Sequence, residues 1–214
     1  MRRWPGKVAA AVRVSCREVR CHPDHSIQTL PAPEPSSAWD ALLAYAVDSA
    51  SWLDGVVVTG AEPTEDPDLL SLLAVLAEAG LPVRLETDGL NPDVLAHALA
   101  EDLVESVSVQ IKTTPERYAS LTTMADAADR IAATVAVVIA SGKEHEFHTT
   151  ADPANVALAD LAVVACGLRG GRLYAIEQVG PPADGLTAIF EARALRTAAR
   201  QCSLHLPTIV RGVA

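Results

Sequence analysis

Apolar and polar positions along this chain fall into blocks whose period switches repeatedly between strand-like and helix-like. Lys7–Val14 predicts a strand, followed by an irregular stretch rich in Cys, His and Pro that runs to Pro35. Ser36 or Ser37 is placed to cap a helix through Trp39, Leu42, Leu43, Tyr45 and Ala46. Asp54–Thr59 contains Val56-Val57-Val58, an unbroken apolar run of the kind buried on both faces of a parallel sheet. Asp66-Pro67-Asp68 opens a helix with Leu69, Leu70, Leu72, Leu73 and Leu76 on its inner side, and Gly80 ends it.

The alternation continues to the C-terminus. Pro82–Thr87 predicts a strand, Pro92 to Ala100 a helix, and Ser106–Lys112 another strand. Short helices over Pro115–Leu121 and Ala125–Ala132 precede a fifth strand at Thr134–Ala140. Ser141 then begins a polar run in which His145 and His148 read as surface-loop residues. Asp152-Pro153 opens a helix to Val164, and Arg172–Gln178 predicts a sixth strand ending in Glu177 and Gln178. A last helix spans Gly185 to Gln201, with a short closing strand at Leu204–Leu206. Strands alternating with helices at this spacing indicate βαβ units, an α/β fold and a parallel sheet. No linker or shift in composition interrupts residues 1–214, so one domain is expected, with its core over about residues 7–206.

Composition narrows the function classes. Lys plus Arg number 17 against 27 Asp plus Glu, a formal charge of −10, which disfavours phosphate backbones and anionic lipid as partners. Aromatic residues make up 4%, so the core must be built mainly from Ala, Val, Leu and Ile. No run approaches the roughly 18 apolar residues of a membrane span. Arg13 interrupts the apolar N-terminal run, which argues against a signal peptide and makes the cytoplasm the expected location. There, a close cysteine pair such as Cys16 and Cys21 is better used for metal or redox chemistry than for a structural disulfide. Cys166 and Cys202 read as small buried hydrophobes.

In folds of this class ligands gather at the C-terminal ends of the strands, and four segments there are distinctive. Trp52-Leu53-Asp54-Gly55-Val56-Val57-Val58-Thr59-Gly60-Ala61-Glu62-Pro63-Thr64 resembles the radical S-adenosylmethionine (SAM) superfamily, in particular the activating enzymes of anaerobic ribonucleotide reductase and pyruvate formate-lyase. Leu85-Glu86-Thr87-Asp88-Gly89 is similar to that family's Thr-Asn-Gly turn, and Ser108-Val109-Gln110-Ile111-Lys112 to its Asp-Ile-Lys strand. Glu146-Phe147-His148-Thr149-Thr150 is similar to its Glu-Phe-Arg-Thr-Thr segment. The four occur in the family's order. The resemblance implies a partial (β/α)6 barrel and a SAM-binding set of Gly60, Ala61, Glu62, Pro63, Asp88, Gln110 and Lys112, with Lys112 as the cation for the SAM carboxylate.

It also implies a cluster loop after the first strand. The family's Cys-x3-Cys-x2-Cys holds three irons of a [4Fe–4S] cluster and leaves the fourth open for the amino and carboxylate groups of SAM. Here the loop reads Cys16-Arg17-Glu18-Val19-Arg20-Cys21-His22-Pro23-Asp24-His25, with one residue too many in the first spacing and Asp24 where a third cysteine belongs. Thiolates suit such clusters and a carboxylate is a harder, poorer ligand. The residues leave four readings open: an ordinary loop with two relict cysteines, a cluster held by Cys16, Cys21 and one of Asp24, His22 or His25, a zinc site from the cysteines and histidines, or a regulatory disulfide. Three functions follow. The first is an activase-like protein with a degenerate cluster loop and weak SAM binding, whose partner is a glycyl-radical enzyme. The second is a catalytically silent scaffold for such an enzyme or for another radical SAM protein. The third is a small zinc-binding domain.

Overall fold

The computed structural model describes residues 4–14, 44, 48, 51–153, 155–178 and 189–213. Its strands are β1 (Ala9–Val14), β2 (Gly55–Gly60), β3 (Val83–Thr87), β4 (Ser106–Gln110), β5 (Glu144–Thr150), β6 (Tyr174–Glu177) and β7 (Thr208–Arg211). Helices α1 (Leu69–Glu78), α2 (Pro92–Ala100), α3 (Ala127–Ala140), α4 (Leu158–Gly167) and α5 (Ala192–Cys202) alternate with them, and short 3₁₀ turns at Pro63–Glu65 and Pro115–Ser120 follow β2 and β4. The strands hydrogen-bond in chain order, β1 to β7, so the fold class is α/β as expected. Ala44 and Asp48 are helical, in line with the helix expected after Ser36 or Ser37. Contacts divide the chain into two compact units, Met1–Thr87 with Asp93–Val107, and Asp88–Pro92 with Ser108–Ala214.

In the first unit β1, β2 and β3 pair in parallel, with Val12 opposite Val58 and Val58 opposite Leu85. Val56, Val57 and Val58 are fully buried, as a run covered on both faces must be. Helix α1 turns Leu69, Leu72, Leu73 and Leu76 inward at the i, i+3, i+4, i+7 spacing of one helical face. Gly80 ends it at φ +73°, with Leu81 N–H on the Leu76 carbonyl (3.0 Å) and Gly80 N–H on that of Ala77 (2.9 Å). That pair of bonds is a Schellman cap, which favours glycine at the left-handed position. Asp102 takes the same conformation after α2 (φ 56°), a helix stop that carries no glycine as its sign.

Gly60 shows why β2 closes on glycine. A methyl group there would lie 2.1 Å from the carbonyl oxygen of Val14, its register partner on β1. The glycine is needed for strand-to-strand approach, whatever else it does.

In the second unit β5, β6 and β7 pair in parallel, with Phe147, Tyr174 and Thr208 in register. Ile111 N–H donates to the His148 carbonyl (2.8 Å), which ties the end of β4 to β5. Several expectations fail here. Thr134–Ala140 is the second half of helix α3, and the fifth strand is the polar segment Glu144–Thr150. An apolar run of six residues after Thr134 fits either a buried strand or one face of a helix. The buried positions Ala127, Ile131, Thr134, Val135 and Val138 show the helical period, which starts upstream of the run and continues through it. Likewise α4 begins at Leu158, because Asp152 is used in a turn whose carbonyl accepts from Asn155 N–H and Val156 N–H (both 3.0 Å). The closing strand is Thr208–Arg211, and Leu204 in the expected segment is largely exposed.

Gly60→Ala is expected to lower stability by about 1–3 kcal/mol, the usual cost of overpacking. A shift of the urea midpoint checks it, and an unchanged midpoint would mean that β1 yields without cost.

Candidate functional site

In the first unit the turn after β2 carries Gly60, Ala61, Glu62 and Pro63. Ala61 is exposed, whereas Glu62 is buried. The Glu62 Oε1 atom accepts from Thr64 N–H (3.0 Å), from the Thr64 hydroxyl, and from the Thr87 hydroxyl (2.6 Å). It therefore caps the 3₁₀ turn at Pro63–Glu65 and ties the end of β2 to the end of β3. A buried carboxylate needs donors of this kind to repay its lost hydration. Arg84, also buried, donates from one terminal nitrogen to the Ser106 hydroxyl (3.1 Å).

In the second unit the residues after β3 and β4 meet. Lys112 Nζ lies 3.1 Å from Asp88 Oδ2, with the lysine side chain 27% and the aspartate 10% exposed. Asp88 Oδ1 accepts from Leu90 N–H (3.1 Å). Gly89 adopts φ +78°, and its Cβ position is filled by Val109 Cγ1 at 2.9 Å. Helix α3 holds this turn from behind: the Thr134 hydroxyl donates to the Gly89 carbonyl (2.7 Å) and Arg130 to that of Leu90 (3.3 Å). Lys112 is set by its own backbone, whose N–H donates to the Tyr118 hydroxyl (3.1 Å). Tyr118 is buried, and burial pushes its pKa up to about 12, so the phenol stays protonated. Nothing in the sequence singles out Tyr118; its spacing of six from Lys112 becomes meaningful only through the Pro115–Ser120 turn.

Strand β5 places its polar side chains by alternation. On one face Gln110 donates to the Thr150 hydroxyl (3.2 Å), Ser108 pairs with His148 Nδ1 (3.2 Å), and Glu146 receives both terminal nitrogens of Arg211 (2.7 Å each). Arg211 also donates to Glu177 (3.0 Å). Its hydrogen bond to Glu146 holds the guanidinium even further above its usual range, and Glu177 adds to this. On the other face Tyr174 donates to Thr149 (2.8 Å), which donates to the Ile111 carbonyl (2.6 Å). His145 and His148 are thus strand residues and not surface-loop residues. His145 is buried edge-on to Phe147, Nδ1 against the Lys143 carbonyl (2.8 Å) and Nε2 accepting from Arg172 N–H (3.0 Å). Burial lowers its pKa.

Cys16, Cys21, His22, Asp24 and His25 lie outside the described residues. Among the described residues no three His, Cys, Asp or Glu side chains are grouped to hold a metal. Cys166 is exposed, contrary to expectation, and Cys202 is buried, which pushes its thiol pKa up to about 11. A cavity of about 430 Å³ between α4 and α5, lined by Leu158, Arg193, Thr197 and Ala198 among others, shares no residue with the motif segments. No described helix is long and apolar enough to cross a membrane.

No protein-family model matches the chain. A curated Methanocaldococcus jannaschii protein, named as a glycyl-radical enzyme activating enzyme, is 27% identical over 133 residues, 60% of this chain and 55% of that protein. SuiB of Streptococcus suis superposes with a TM-score of 0.70 at 15% identity, covering 96% of this chain and 49% of SuiB. Structures of SuiB bound to SAM and to its precursor peptide SuiA give 0.68 and 0.67 at 14% and 13% identity, covering 96% and 94% of this chain and 50% and 48% of SuiB. The chain has the radical SAM fold. A domain of pyruvate-formate lyase-activating enzyme from Bacteroides vulgatus agrees, with a TM-score of 0.53 at 13% identity over 74% of this chain and 99% of that domain. The chain spans about half the length of the curated relative and of SuiB. Within the radical SAM fold, the Gly-Ala-Glu-Pro, Thr-Asp-Gly and Gln-Ile-Lys segments stand at or just after the ends of β2, β3 and β4.

Two outcomes follow. Because His145 holds its neutral form and its folded pKa lies below the ordinary 6.5, the folded state binds fewer protons than the unfolded chain. Its contribution is present above about 6.5 and is lost as pH falls below it. The stability difference between the parent chain and His145→Gln should therefore shrink from pH 7.5 to pH 5.5 in urea melts. Arg211→Met should cost about 2–4 kcal/mol at pH 7 by stranding two carboxylates, and adding Glu146→Gln should recover part of it. Equal melts for the single and double variants would remove the charge argument.

Proposed function

We propose that this chain is an activase-like protein of the radical SAM fold that binds SAM or a related adenosyl ligand weakly and is impaired in reductive SAM cleavage. The observation that carries the reading is the presence of three SAM-motif segments, in family order, at the ends of β2, β3 and β4 in a radical SAM fold. The SAM-bound SuiB structure and the name of the archaeal relative support the ligand and the partner class respectively. In this reading Gly60, Ala61, Glu62 and Pro63 belong to one ligand-facing segment and Asp88, Gln110 and Lys112 to another, with a glycyl-radical enzyme as partner.

The donor set does not fit the family's cluster. Three thiolate corners are needed to leave one iron open, and the loop offers Cys16 and Cys21 with Asp24, His22 and His25 around them. Cys202 is buried at the end of α5, and Cys166 stands on α4. A carboxylate or imidazole at the third corner would give a harder, more labile ligand set, so no radical step is assigned to the chain.

The test is anaerobic reconstitution followed by iron and sulfide analysis, electron paramagnetic resonance and calorimetry with SAM. The expected result is less than one stable cluster per chain and weak, saturable SAM binding that Lys112→Ala abolishes. Four irons per chain, lost on Cys16→Ala or Cys21→Ala, would restore the enzyme with a full cluster. Stoichiometric zinc would favour the metal-binding alternative.

A further inference from the structure

Helix α4 is apolar on two sides. Its inward face is Leu161, Val164 and Ala165, and the opposite face is Ala159, Val163 and Cys166, all exposed, Val163 at 50%. Asp160 is its one charged residue, held by Arg117 (3.0 Å) and by the backbone N–H of Ala157 (3.0 Å). An outer helix ordinarily turns polar side chains to water, and a helix apolar on both faces is one buried on both.

The neighbouring helix says what chemistry a cover must have. Helix α5 buries Leu195, Ala198, Ala199 and Cys202, and its opposite face exposes Arg193, Arg196 and Arg200. Spaced three and four residues apart, these arginines line one side of the helix, which contains no Asp or Glu. Among the described residues neither Arg193 nor Arg200 makes an ion pair. The basic excess is local: residues 168–214 hold six of the chain's 17 Lys and Arg but three of its 27 Asp and Glu, in a chain of formal charge −10. The cavity of about 430 Å³ joins the two helices, with Leu158, Ala194 and Ala198 giving it an apolar lining and Arg193 a cationic edge.

We propose that the outer face of α4 and α5 is a docking surface for an acidic amphipathic segment of another protein. Its apolar side chains seat between the helices against Ala159 and Val163, and its carboxylates pair with Arg193 and Arg200, whose guanidinium forks suit them. Charge complementarity selects this occupant. An anionic membrane or a nucleic acid spreads its charge over an extended area and would repel the acidic remainder of the chain. A short segment meets the arginines without that opposition. The surface shares no residue with the motif segments at the strand ends, so it stands independently of the adenosyl reading.

Fluorescence anisotropy on the full chain tests it, with a labelled Glu/Leu peptide whose leucines keep helical spacing. A Lys/Leu peptide of the same pattern and a polyglutamate of the same length are the controls. The Glu/Leu peptide should bind saturably and about ten-fold tighter than either, or better. Arg193→Glu combined with Arg200→Glu should weaken it about ten-fold and take up the Lys/Leu peptide instead, and Val163→Gln should weaken it several-fold. Thermal melts check that these variants, all changed at exposed positions, still fold. Absence of Glu/Leu binding, or binding that the arginine reversals leave unchanged, would overturn the proposal. Equal affinity for polyglutamate would reduce the face to a general anion site, and tighter binding of phosphatidylserine vesicles or RNA would assign it to those; either result overturns the proposal. A concentration-dependent dimer in light scattering, dissolved by Val163→Gln, would do the same by showing that a second copy covers the face.

Discussion

A charged group set into a parallel sheet is stable only when another element brings it a partner, and this chain meets that constraint in each unit. Glu62 has its threonine donors, Glu146 its arginine, and Lys112 its aspartate. Each pairing crosses from one element to another, and those of Glu62 with Thr87 and of Lys112 with Asp88 also fix where loops begin. The price of burying a carboxylate is several kcal/mol unless such donors are in place, which makes these ties more demanding than the apolar contacts around them. Valines in β2 could be exchanged for other branched residues with modest loss; Arg211 could not be exchanged for any neutral residue without stranding two acids.

The same constraint explains what could and could not be read in advance. Helix α1 was legible because its leucines keep a helical period and Gly80 stops it where a left-handed residue is required. Strand β2 was legible because three successive valines bounded by turn residues have few other uses. Strand β5 was not. Its sequence Glu-His-Glu-Phe-His-Thr-Thr looks like a surface loop, and partners distant in the chain, among them Ser108, Arg172, Tyr174 and Arg211, make those polar groups buriable. Helix α3 failed for the opposite reason: Val135–Ala140 is apolar throughout, and an apolar run of that length does not declare its own period. The motif segments were placed correctly at the ends of β2, β3 and β4, but Tyr118 and Arg211 were invisible, since the significance of each lies in a contact and not in a pattern.

Matching a family motif and serving the family's chemistry are separable in this chain, and the hydrogen bonds show how. Gly60 is required by the approach of Val14, and Glu62 is required by Thr64 and Thr87; the fold alone accounts for both. Their match to a SAM motif therefore says more about architecture than about ligand. Lys112 differs. Its backbone is held by Tyr118 through an N–H that any residue except proline could supply, so the fold does not ask for an ammonium at this position. Asp88 is partly explained by its bond to Leu90 N–H, which asparagine could accept equally well, so its negative charge is again surplus to the turn. The two charges bear on each other at 3.1 Å, and the backbone bonds that place them require neither charge.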